Sequence, residues 1–461
     1  MAIAASRQQQ AAANRPRLLQ AVFDAMQQPD IRRKLLFTFA MLVVFRFIAH
    51  IPIPGVNPNG LETAFNESRL LGFFNLFSGG ALRRVSVAAL GVYPYITASI
   101  IMQLITPIFP NLAALQKEGE QGRRRLELYQ AWMTVPLCFV QGYAQLVILE
   151  QAVGRNAGVM FHPSLTGETA LVTFTALFSM TAGTLFLVWL GELITENGIG
   201  NGVSVIIFGG IVAGMPGLIN QVFQSDTGFA LVVLLALLAV AFIAAIVYMQ
   251  EAVRKVPVQY AKSVFRAGKM YRQSGQSHIP LRVNSAGMIP LIFSYSIVIF
   301  PAYAAQFIQD SSGGWLETVA RWVGNALSPG TNASGRQGGS PGFYIFVFLL
   351  TVGFSFFYTF VVYQQQNLAE NLQKQGGFIP GIRPGRPTHD YIMRVLARIT
   401  WAGALFLGFV AILPYLVTNW FNVTSLTISS TGMLIVVGVV LDTMKQLEAQ
   451  LLMRNYEGFI R

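Results

Sequence analysis

Charged side chains are scarce in this sequence. Only 11% of its 461 residues are Asp, Glu, Lys or Arg, against about 25% in an average soluble domain. So few charges cannot cover the surface of a water-soluble fold of this size, while the 53% of hydrophobic residues leaves ample apolar surface to bury. The shortage of charge therefore excludes a soluble globular enzyme and a disordered chain, and it indicates an integral membrane protein.

Cysteine and a cleavable targeting signal are the next features in short supply. The sequence has one cysteine, Cys138, so neither a disulfide framework nor a zinc cluster can form within the chain. Residues 1–34 are polar, and no apolar stretch occurs before Leu35. We therefore expect no cleaved secretory signal peptide, and the first apolar run is expected to serve as an uncleaved anchor.

Long apolar runs dominate what is present. A helix needs about 20 apolar residues to cross the hydrocarbon core of a bilayer, and segments of this kind predict ten transmembrane helices. The segments lie near Leu35–Ile51, Val85–Thr106, Tyr129–Leu149, Thr169–Leu190, Val203–Phe223, Phe229–Gln250, Ser285–Ile308, Phe343–Tyr363, Leu396–Val417 and Ser430–Leu451. The predicted fold class is an all-α integral membrane protein.

The basic residues are unevenly distributed between the two sides of these predicted spans. Ten spans place both termini on one side, and that side carries 25 of the 32 Lys and Arg residues, whereas the other side carries six. Because Lys and Arg accumulate in cytoplasmic loops, we expect both termini to be cytoplasmic. The excess of basic residues, which gives the formal net charge of +12, is therefore expected to set the orientation of the chain in the membrane.

Two predicted cytoplasmic loops, 251–284 and 364–395, are much longer than a minimal connection between helices. The first holds seven basic residues together with the aromatic side chains of Tyr260, Phe265 and Tyr271. These loops could act only as topology determinants lying on anionic lipid. The alternative is a docking surface for an acidic or RNA-containing partner.

Ionisable groups are almost missing from the predicted spans. Arg46 and Asp442 are the two that fall in apolar runs, and both lie near span ends. Ion-coupled transporters usually keep such groups near the midplane, and we expect Arg46 to extend toward the lipid headgroups. The sequence also has no metal-ligand constellation and no phosphate-binding G-x-x-x-x-G-K-[ST] loop. We therefore expect no enzymatic activity and no cofactor.

Some uncharged polar side chains and small residues do lie in the predicted spans. Polar side chains in lipid tend to face other helices and hydrogen-bond there, so ordinary helix adhesion explains them. They are Thr97, Ser99, Gln103 and, at a span entrance, Asn284. Gly210 and Gly214 form one G-x-x-x-G spacing, which close packing of the fifth span explains.

Residues 70–84 fit neither a loop nor a span. The stretch is apolar at helical spacing, but it is too short to cross the membrane and precedes a full span on the non-cytoplasmic side. It could be an interfacial helix with its aromatic face in the lipid. Alternatively, it is a re-entrant segment buried in protein, with Gly79 and Gly80 as a flexible joint.

Several sequence motifs together resemble those of a known family. They are Ile-Pro-Ile-Pro-Gly at 51–55, Phe-Ser-Gly-Gly-Ala-Leu at 77–82, Ala-Leu-Gly-Val-Tyr-Pro-Tyr-Ile-Thr-Ala-Ser-Ile-Ile at 89–101, Lys-Glu-Gly-Glu-Gln-Gly-Arg-Arg-Arg at 117–125, Gly-Glu-Leu-Ile-Thr-Glu-Asn-Gly-Ile-Gly-Asn-Gly at 191–202, Pro-Leu-Arg-Val-Asn-Ser-Ala-Gly-Met-Ile-Pro at 280–290 and Gly-Phe-Ile-Pro-Gly-Ile-Arg-Pro-Gly at 377–385. With this order and these topological positions, the chain resembles the SecY family, the channel subunits of the bacterial Sec protein translocase. The resemblance runs from about residue 32 to residue 457.

The resemblance implies a channel of ten helices in two inverted five-helix halves with a short re-entrant plug helix. The corresponding organisation of this chain is an N-terminal tail at 1–34, an N-terminal half at 35–228, a C-terminal half at 229–452 and a short tail at 453–461. Such a channel passes unfolded polypeptides across the bacterial cytoplasmic membrane and inserts membrane proteins into it. A conduit for diverse chains needs no specific polar binding site, which fits the apolar interior.

The resemblance also implies a ring of bulky aliphatic side chains that seals the pore. A narrow apolar constriction excludes small ions by dewetting and can part around a passing chain. Matching the motifs places the ring at Val92, Ile96, Val203, Ile207, Ile292 and Ile435.

Two further elements follow from the resemblance. The plug corresponds to residues 70–84, including Leu70, Phe73, Phe74, Asn75, Phe77, Ser78, Gly79 and Gly80. The lateral gate lies between the second and seventh spans. Thr97, Gln103 and Asn284 match its polar cluster, whose hydrogen bonds would hold it shut until an apolar signal sequence partitions into lipid.

The partners implied are the SecE and SecG subunits, the motor ATPase SecA, the ribosome, unfolded preproteins with their signal sequences, and membrane lipid. The two long loops correspond to the surfaces that take SecA or the ribosome. The residues expected to dock them are Lys262, Arg266, Lys269, Arg383 and Arg386. The alternative from another class is a secondary solute transporter with inverted repeats, which would need a small-molecule site at the midplane.

Overall fold

The computed structural model describes two compact units, one formed by Met1–Ile219 with Val439–Arg461 and the other by Asn220–Gly438. Within them the structure describes residues 28–56, 75, 78–153, 162–164, 167, 169–224, 229–266, 269–295, 297–298, 318, 322, 341–366, 368–421 and 430–457, and in some of these, such as 261–266 and 269–276, the backbone alone. The division into halves at 35–228 and 229–452 stays a prediction.

The described part of the N-terminal unit is mainly helical. Its helices are α1 (Pro29–Ile48), α2 (Tyr93–Ile105), α3 (Pro110–Lys117), α4 (Glu120–Val153), α5 (Ala170–Asn197) and α6 (Gly202–Gln224). Proline occupies the first turn of α1, α2 and α3, where its missing N–H leaves no helical hydrogen bond unmade. The axes of α2 and α3 meet at 105°.

The second predicted span begins later than expected. The apolar run predicts one helix over Val85–Thr106, but α2 starts at Tyr93, and residues 85–92 form turns after a short 3-10 helix at Leu82–Arg84. Val85 and Gly91 have φ angles of +43° and +58°, which a right-handed helix cannot contain. Hydropathy alone cannot detect such a break, because the whole stretch is apolar.

The C-terminal unit combines helices with a β-ribbon. Its elements are α7 (Phe229–Glu251), β1 (Val253–Arg266), β2 (Lys269–Arg282), a helical stretch at 289–295, α8 (Pro341–Gln366), α9 (Leu368–Lys374), β3 (Gly377–Phe378) and α10 (Arg386–Phe421). The last helix of the chain is α11 (Ser430–Glu457). The expected loop at 364–395 thus contains α9, β3 and the first turns of α10.

The predicted loop at 251–284 is a β-ribbon, which the all-α prediction omitted. Strands β1 and β2 pair antiparallel from Val253↔Arg282 to Arg266↔Lys269, and β3 adds a short third strand beside β1. Val256 and Val258 alternate along β1 and are buried, as is Leu281 of β2. They pack on α9, α10 and the segment between them, through Leu372, Ile379, Ile392 and Leu396. The ribbon is therefore anchored at its base by period-2 burial.

The apolar helices confirm the class of a helical membrane protein. Among the described residues, five helices are long and apolar enough to cross a membrane, or six if the bent pair of α2 and α3 forms one span. Described helices lie in nine of the ten predicted spans, and residues 289–295 are helical inside the seventh. The count of ten spans stays a prediction.

Candidate functional site

A tight turn between α5 and α6 fixes the start of α6, where two of the predicted ring residues lie. The Thr195 hydroxyl donates to the Gly191 carbonyl and accepts from the Gly202 N–H, both at 2.9 Å. A Cβ on Gly202 would lie 1.8 Å from the Gly191 oxygen, so the helices meet backbone to backbone. This contact explains the glycines at the two ends of the 191–202 motif, Gly191 and Gly202.

The same turn is held from two other helices of the unit. The Ile199 N–H donates to the Thr38 hydroxyl of α1 at 3.2 Å, and the Gly200 N–H donates to Oε1 of Gln446 in α11 at 3.0 Å. Val203 and Ile207 follow one helical turn apart on one face of α6, and Ile207 is buried whereas Val203 is half-buried. Their positions are therefore set by contacts from α1, α5 and α11.

The start of α2, which carries Val92 and Ile96, is fixed by a different set of contacts. The Ile53 N–H donates to the Val85 carbonyl at 3.0 Å, and the Val87 N–H donates to the Ile51 carbonyl at 2.9 Å. Behind this pairing, a Cβ on Gly183 of α5 would lie 2.1 Å from the Val87 oxygen. The Ile-Pro-Ile-Pro-Gly motif thus pairs with the segment that leads into α2, a role that sequence reasoning missed.

The described part of the predicted plug is a compact turn. The Gly80 N–H donates to the Asn75 carbonyl at 2.8 Å, and the Asn75 Oδ1 accepts from the Arg83 N–H at 3.0 Å. Ser78 is buried, and its hydroxyl accepts from the Leu82 N–H at 3.0 Å. The other predicted plug residues, Leu70, Phe73, Phe74 and Phe77, lie outside the described residues.

Gly79 of this turn is enclosed by α1 and α6. A Cβ on Gly79 would lie 2.7 Å from both the Gly210 Cα and the Phe45 ring, and a Cβ on Gly210 would lie 2.2 Å from the Gly79 Cα. The φ of Gly79 is +65°, which favours glycine for a second reason. Of the predicted G-x-x-x-G pair, Gly210 makes this close contact, whereas a Cβ on Gly214 would meet no atom within 4 Å.

Arg46 takes part in the same contact. Its Nη1 donates to the Gly79 carbonyl at 2.8 Å, across 33 residues of sequence. The sequence predicts only that the guanidinium extends toward the lipid headgroups. In the structure it also binds the Gly79 carbonyl. It is a cation of α1 held against the backbone of the plug segment.

The predicted gate residues have different surroundings. In α2, the Thr97 hydroxyl donates to the Tyr93 carbonyl at 3.0 Å and accepts from Gln141 of α4 at 3.3 Å, while the Gln103 amide donates to Ser99 at 3.3 Å. Asn284 is 8% exposed, and its Nδ2 has no hydrogen-bond partner among the described residues. Asn284 therefore carries an amide donor that is free to bond elsewhere.

The remaining ring residues lie in the C-terminal unit. Ile292 is in the 289–295 helical stretch and Ile435 is in α11, and both are buried. Val92 is buried as well, and Ile96 is half-buried. All six predicted ring positions thus lie in or at the cap of a helix.

The predicted docking residues fall on the ribbon and the turn beside it. The register places Lys262, Arg266 and Lys269 on one face of the ribbon, the face that also carries Val256 and Val258 nearer its base. Arg383 and Arg386 are exposed, and the Arg383 carbonyl accepts from the buried Thr388 hydroxyl at 2.8 Å. Because Ile379 belongs to the core that anchors the ribbon, the turn and the ribbon base form one structure.

The described ranges contain no candidate metal centre. No group of three or more His, Cys, Asp or Glu side chains that could hold a metal ion occurs there. A groove of about 310 Å³ lies among α8, α9 and α10 and is lined in part by Tyr363, Gln373, Arg386 and His389.

Curated relatives resemble the chain over nearly its whole length. It is 43% identical over 446 residues to the protein translocase subunit SecY of Halalkalibacterium halodurans, a match that covers 94% of this chain and 97% of that protein. The SecY subunit of Streptomyces galbus is 41% identical over 460 residues, with 96% and 100% covered. That of Pseudomonas aeruginosa is 41% identical over 442 residues, with 94% and 93% covered.

Solved structures share the fold at low identity. One is described as "The structure of a protein conducting channel" and has a TM-score of 0.57 at 17% identity, covering 92% of this chain and 93% of that chain. Another is described as "Sec61 in the Canine ribosome-channel complex from the endoplasmic reticulum", with a TM-score of 0.53, 17% identity and the same coverage. The identity to curated SecY subunits favours the channel over the solute transporter. The SecY family model matches residues 86–444, and the chain belongs to the SecY family.

Proposed function

We propose that this chain is the pore-forming subunit of a protein-conducting channel that moves unfolded polypeptides across, and inserts membrane proteins into, the bacterial cytoplasmic membrane. The observation that carries the proposal is the enclosed plug turn, in which Gly79 is held between Gly210 and Phe45 and bonded to Arg46. A buried turn beside the start of a span fits a re-entrant segment better than an interfacial helix. A resting channel needs such an element to stay closed to ions.

The seal itself is assigned to the aliphatic ring of Val92, Ile96, Val203, Ile207, Ile292 and Ile435. An apolar constriction lets no hydrated ion pass but binds no particular side chain of the cargo. The tight α5–α6 turn and the pairing of 51–53 with 85–87 support this role, because they fix the backbone from which four of these side chains project.

The lateral gate is assigned to α2 and to the segment that begins at Asn284, with Thr97 and Gln103 as the polar residues of α2. In this arrangement an apolar signal sequence leaves the channel sideways into lipid. The buried Asn284 amide, whose Nδ2 has no partner among the described residues, supports the assignment, since a buried polar group gains from finding a partner in the closed state.

Both termini are cytoplasmic in this proposal, and SecE and SecG complete the channel. The basic ribbon face and the Arg383 turn are assigned to docking SecA or the ribosome. Lys262, Arg266 and Lys269 share one ribbon face, which concentrates positive charge where an RNA backbone or an acidic surface can approach. The firm base under Val256 and Val258 would transmit force from a docked partner to α10.

The channel and plug are tested together by reconstituting the purified complex in proteoliposomes. Wild-type complex, with the motor ATPase and ATP, is expected to protect an unfolded preprotein from external protease and to hold an ion gradient when idle. Gly210→Ala is expected to leak ions at rest, because the new methyl group would enter the Gly79 backbone. Gly214→Ala, in open space four residues along the same helix, is the matched control.

The outcomes separate the two parts of the proposal. A wild-type complex that never protects a preprotein would sink the channel function. A Gly210→Ala complex as ion-tight as Gly214→Ala would sink the plug contact while leaving the channel standing.

Docking is tested by reversing charge on one ribbon face at a time. Lys262→Glu with Arg266→Glu changes the face assigned to docking, and Lys255→Glu with Arg272→Glu changes the opposite face by the same charge. The first pair is expected to weaken co-flotation of ribosomes or of the motor with proteoliposomes, more strongly at low salt. Equal losses from both pairs would mean that only the net charge matters.

A further inference from the structure

A pair of buried hydroxyl groups ties the ring segment 289–295 to α8. Ser294 and Thr351 are both fully buried. The Ser294 hydroxyl donates to the Val347 carbonyl of α8 at 3.0 Å. The Thr351 hydroxyl is placed to donate either to the Ser294 oxygen, at 3.0 Å, or to the Val347 carbonyl of its own helix, at 2.7 Å. Two residues before Ser294 is Ile292, a proposed ring residue. The hydroxyl pair therefore fixes the backbone that presents it.

The neighbouring residue ties the same segment to α10. Tyr295 is 7% exposed, and its hydroxyl donates to the Ala411 carbonyl at 2.9 Å. Phe293, on the other side of Ser294, stacks on Phe354 of α8 with ring centroids 5.3 Å apart. Three consecutive side chains thus bond or stack to two different helices.

A second level of contact lies at the entrance of the segment. A Cβ on Gly403 of α10 would lie 2.6 Å from the Val283 carbonyl oxygen, and the Ser285 hydroxyl lies 3.3 Å from the Tyr363 hydroxyl of α8. Residues 283–295 are therefore held at both ends to α8 and α10. These two helices also pack closely on each other, for example where Gly408 of α10 meets the Phe348 ring.

From this arrangement we infer that Ser294, Tyr295 and Thr351 are positioning residues that bind the gate segment 283–295 to α8 and α10, so that these three elements move as one body when the lateral gate opens. The inference rests on the proposed gate. The hydroxyl bonds set how far the segment can separate from α8 and α10 by itself. Losing them frees the segment and lowers the apolarity that a signal sequence needs to open the gate.

The functional test uses isosteric variants. Tyr295→Phe removes a hydroxyl and keeps the aromatic ring, and Thr351→Val removes a hydroxyl and keeps the branched side chain. The double variant is expected to raise translocation of a preprotein with a weakened signal sequence. About threefold per lost bond is the expected scale for hydrogen bonds between membrane helices. Translocation with the intact signal sequence is expected to stay near wild type, and Thr351→Ser is expected to restore the wild-type threshold.

The matched control comes from the same helix. Thr359 is as buried as Thr351, and each hydroxyl lies 2.7 Å from the carbonyl four residues earlier in α8, but Thr351 alone of the two also has a described hydrogen bond to the segment 283–295. Thr359→Val is therefore expected to leave the threshold unchanged. Equal effects from Thr359→Val and Thr351→Val would overturn the inference, because a general loss of helix polarity would then explain both.

A second readout does not depend on translocation. With Cys138→Ala as background, spin labels at exposed Ile297 and at exposed Leu405 of α10 report the distance between the segment and α10. Tyr295→Phe with Thr351→Val is expected to broaden this distance distribution, and Thr359→Val is not. A distribution that stays narrow in the double variant would overturn the inference. If the wild-type complex does not translocate but the distribution broadens, the one-body arrangement stands and the proposed function fails.

Discussion

The two units of this protein hold their working segments in different ways. In the N-terminal unit, glycines let backbones touch, as at Gly202 against Gly191, Gly210 against Gly79 and Gly183 against Val87. In the C-terminal unit, the segment 283–295 is held mainly by side chains, through Ser294, Tyr295, Thr351 and stacked aromatic rings. The N-terminal unit thus relies on close contacts between backbones, and the C-terminal unit relies mainly on hydrogen bonds and ring contacts of side chains.

The difference predicts how each unit responds to change. A backbone contact has no space for even a methyl group, so it is lost abruptly when a side chain is added. A side-chain hydrogen bond between membrane helices is worth on the order of 1 kcal/mol or less and can be removed one at a time. The N-terminal unit should therefore hold the proposed plug and four of the six proposed ring residues rigidly in place. In the C-terminal unit, the signal-sequence apolarity needed to open the proposed gate should change in small steps as hydrogen bonds are removed one by one.

The largest expected effect is at the α5–α6 turn. Because even a Cβ at position 202 would lie 1.8 Å from the Gly191 oxygen, the branched side chain of Gly202→Val must push α6 away from α5. A loss of about 3 kcal/mol or more is expected, seen as low yield of intact complex from membranes and a lower unfolding temperature in detergent. Gly214→Val, on the same helix in open space, should fold nearly as wild type. Similar losses at both positions would show that a branched side chain destabilises α6 wherever it is added, and that the backbone contact at Gly202 has no special role, since Val is a better helix former than Gly.

Gly403 tests the comparison within the C-terminal unit, because it makes a close backbone contact of the kind found in the N-terminal unit. Gly403→Ala is expected to cost about 1–2 kcal/mol, less than Gly202→Val, since its Cβ would lie 2.6 Å from the Val283 oxygen. The measurement is the unfolding temperature, followed by translocation of a preprotein with a weakened signal sequence. Gly353→Ala in α8, which has open space around it, is the control. No difference between the two variants would mean that the gate segment does not depend on this contact.

The family and the class of helical membrane protein were predictable, because they depend on apolar runs and ordered motifs that the sequence shows directly. Both predictions are confirmed by the family match and by the relatives. The β-ribbon was missed because the basic residues of 251–284 were interpreted by charge. The alternation of Val256 and Val258, which are buried, was the available signal.

Other features could not be inferred from local sequence. The late start of α2 depends on positive φ angles at Val85 and Gly91, and an apolar run conceals them. The partner of Arg46 lies 33 residues away, so hydropathy could only suggest that the side chain extends to the headgroups. The ring, plug, gate and docking residues stay predictions, and the structure describes the surroundings of the ring and gate residues but of only part of the plug and docking residues.

The smallest expected effect is at Arg46, where the N-terminal unit uses a side-chain hydrogen bond instead of a glycine. Arg46→Met keeps an apolar stem but removes the donor to the Gly79 carbonyl, while the Gly79–Gly210 contact remains. Loss of one such bond is worth about 1 kcal/mol, so the plug should leave its seat about five times more often, and resting ion leak should rise by a similar factor. Arg33→Met, at an exposed position near the start of α1, controls for loss of a cation from that helix. Because the glycine contact persists, the leak should stay below that of Gly210→Ala. A leak as large as that of Gly210→Ala would mean that Arg46, and not backbone packing, holds the plug. The proposed difference between the two units would then be wrong.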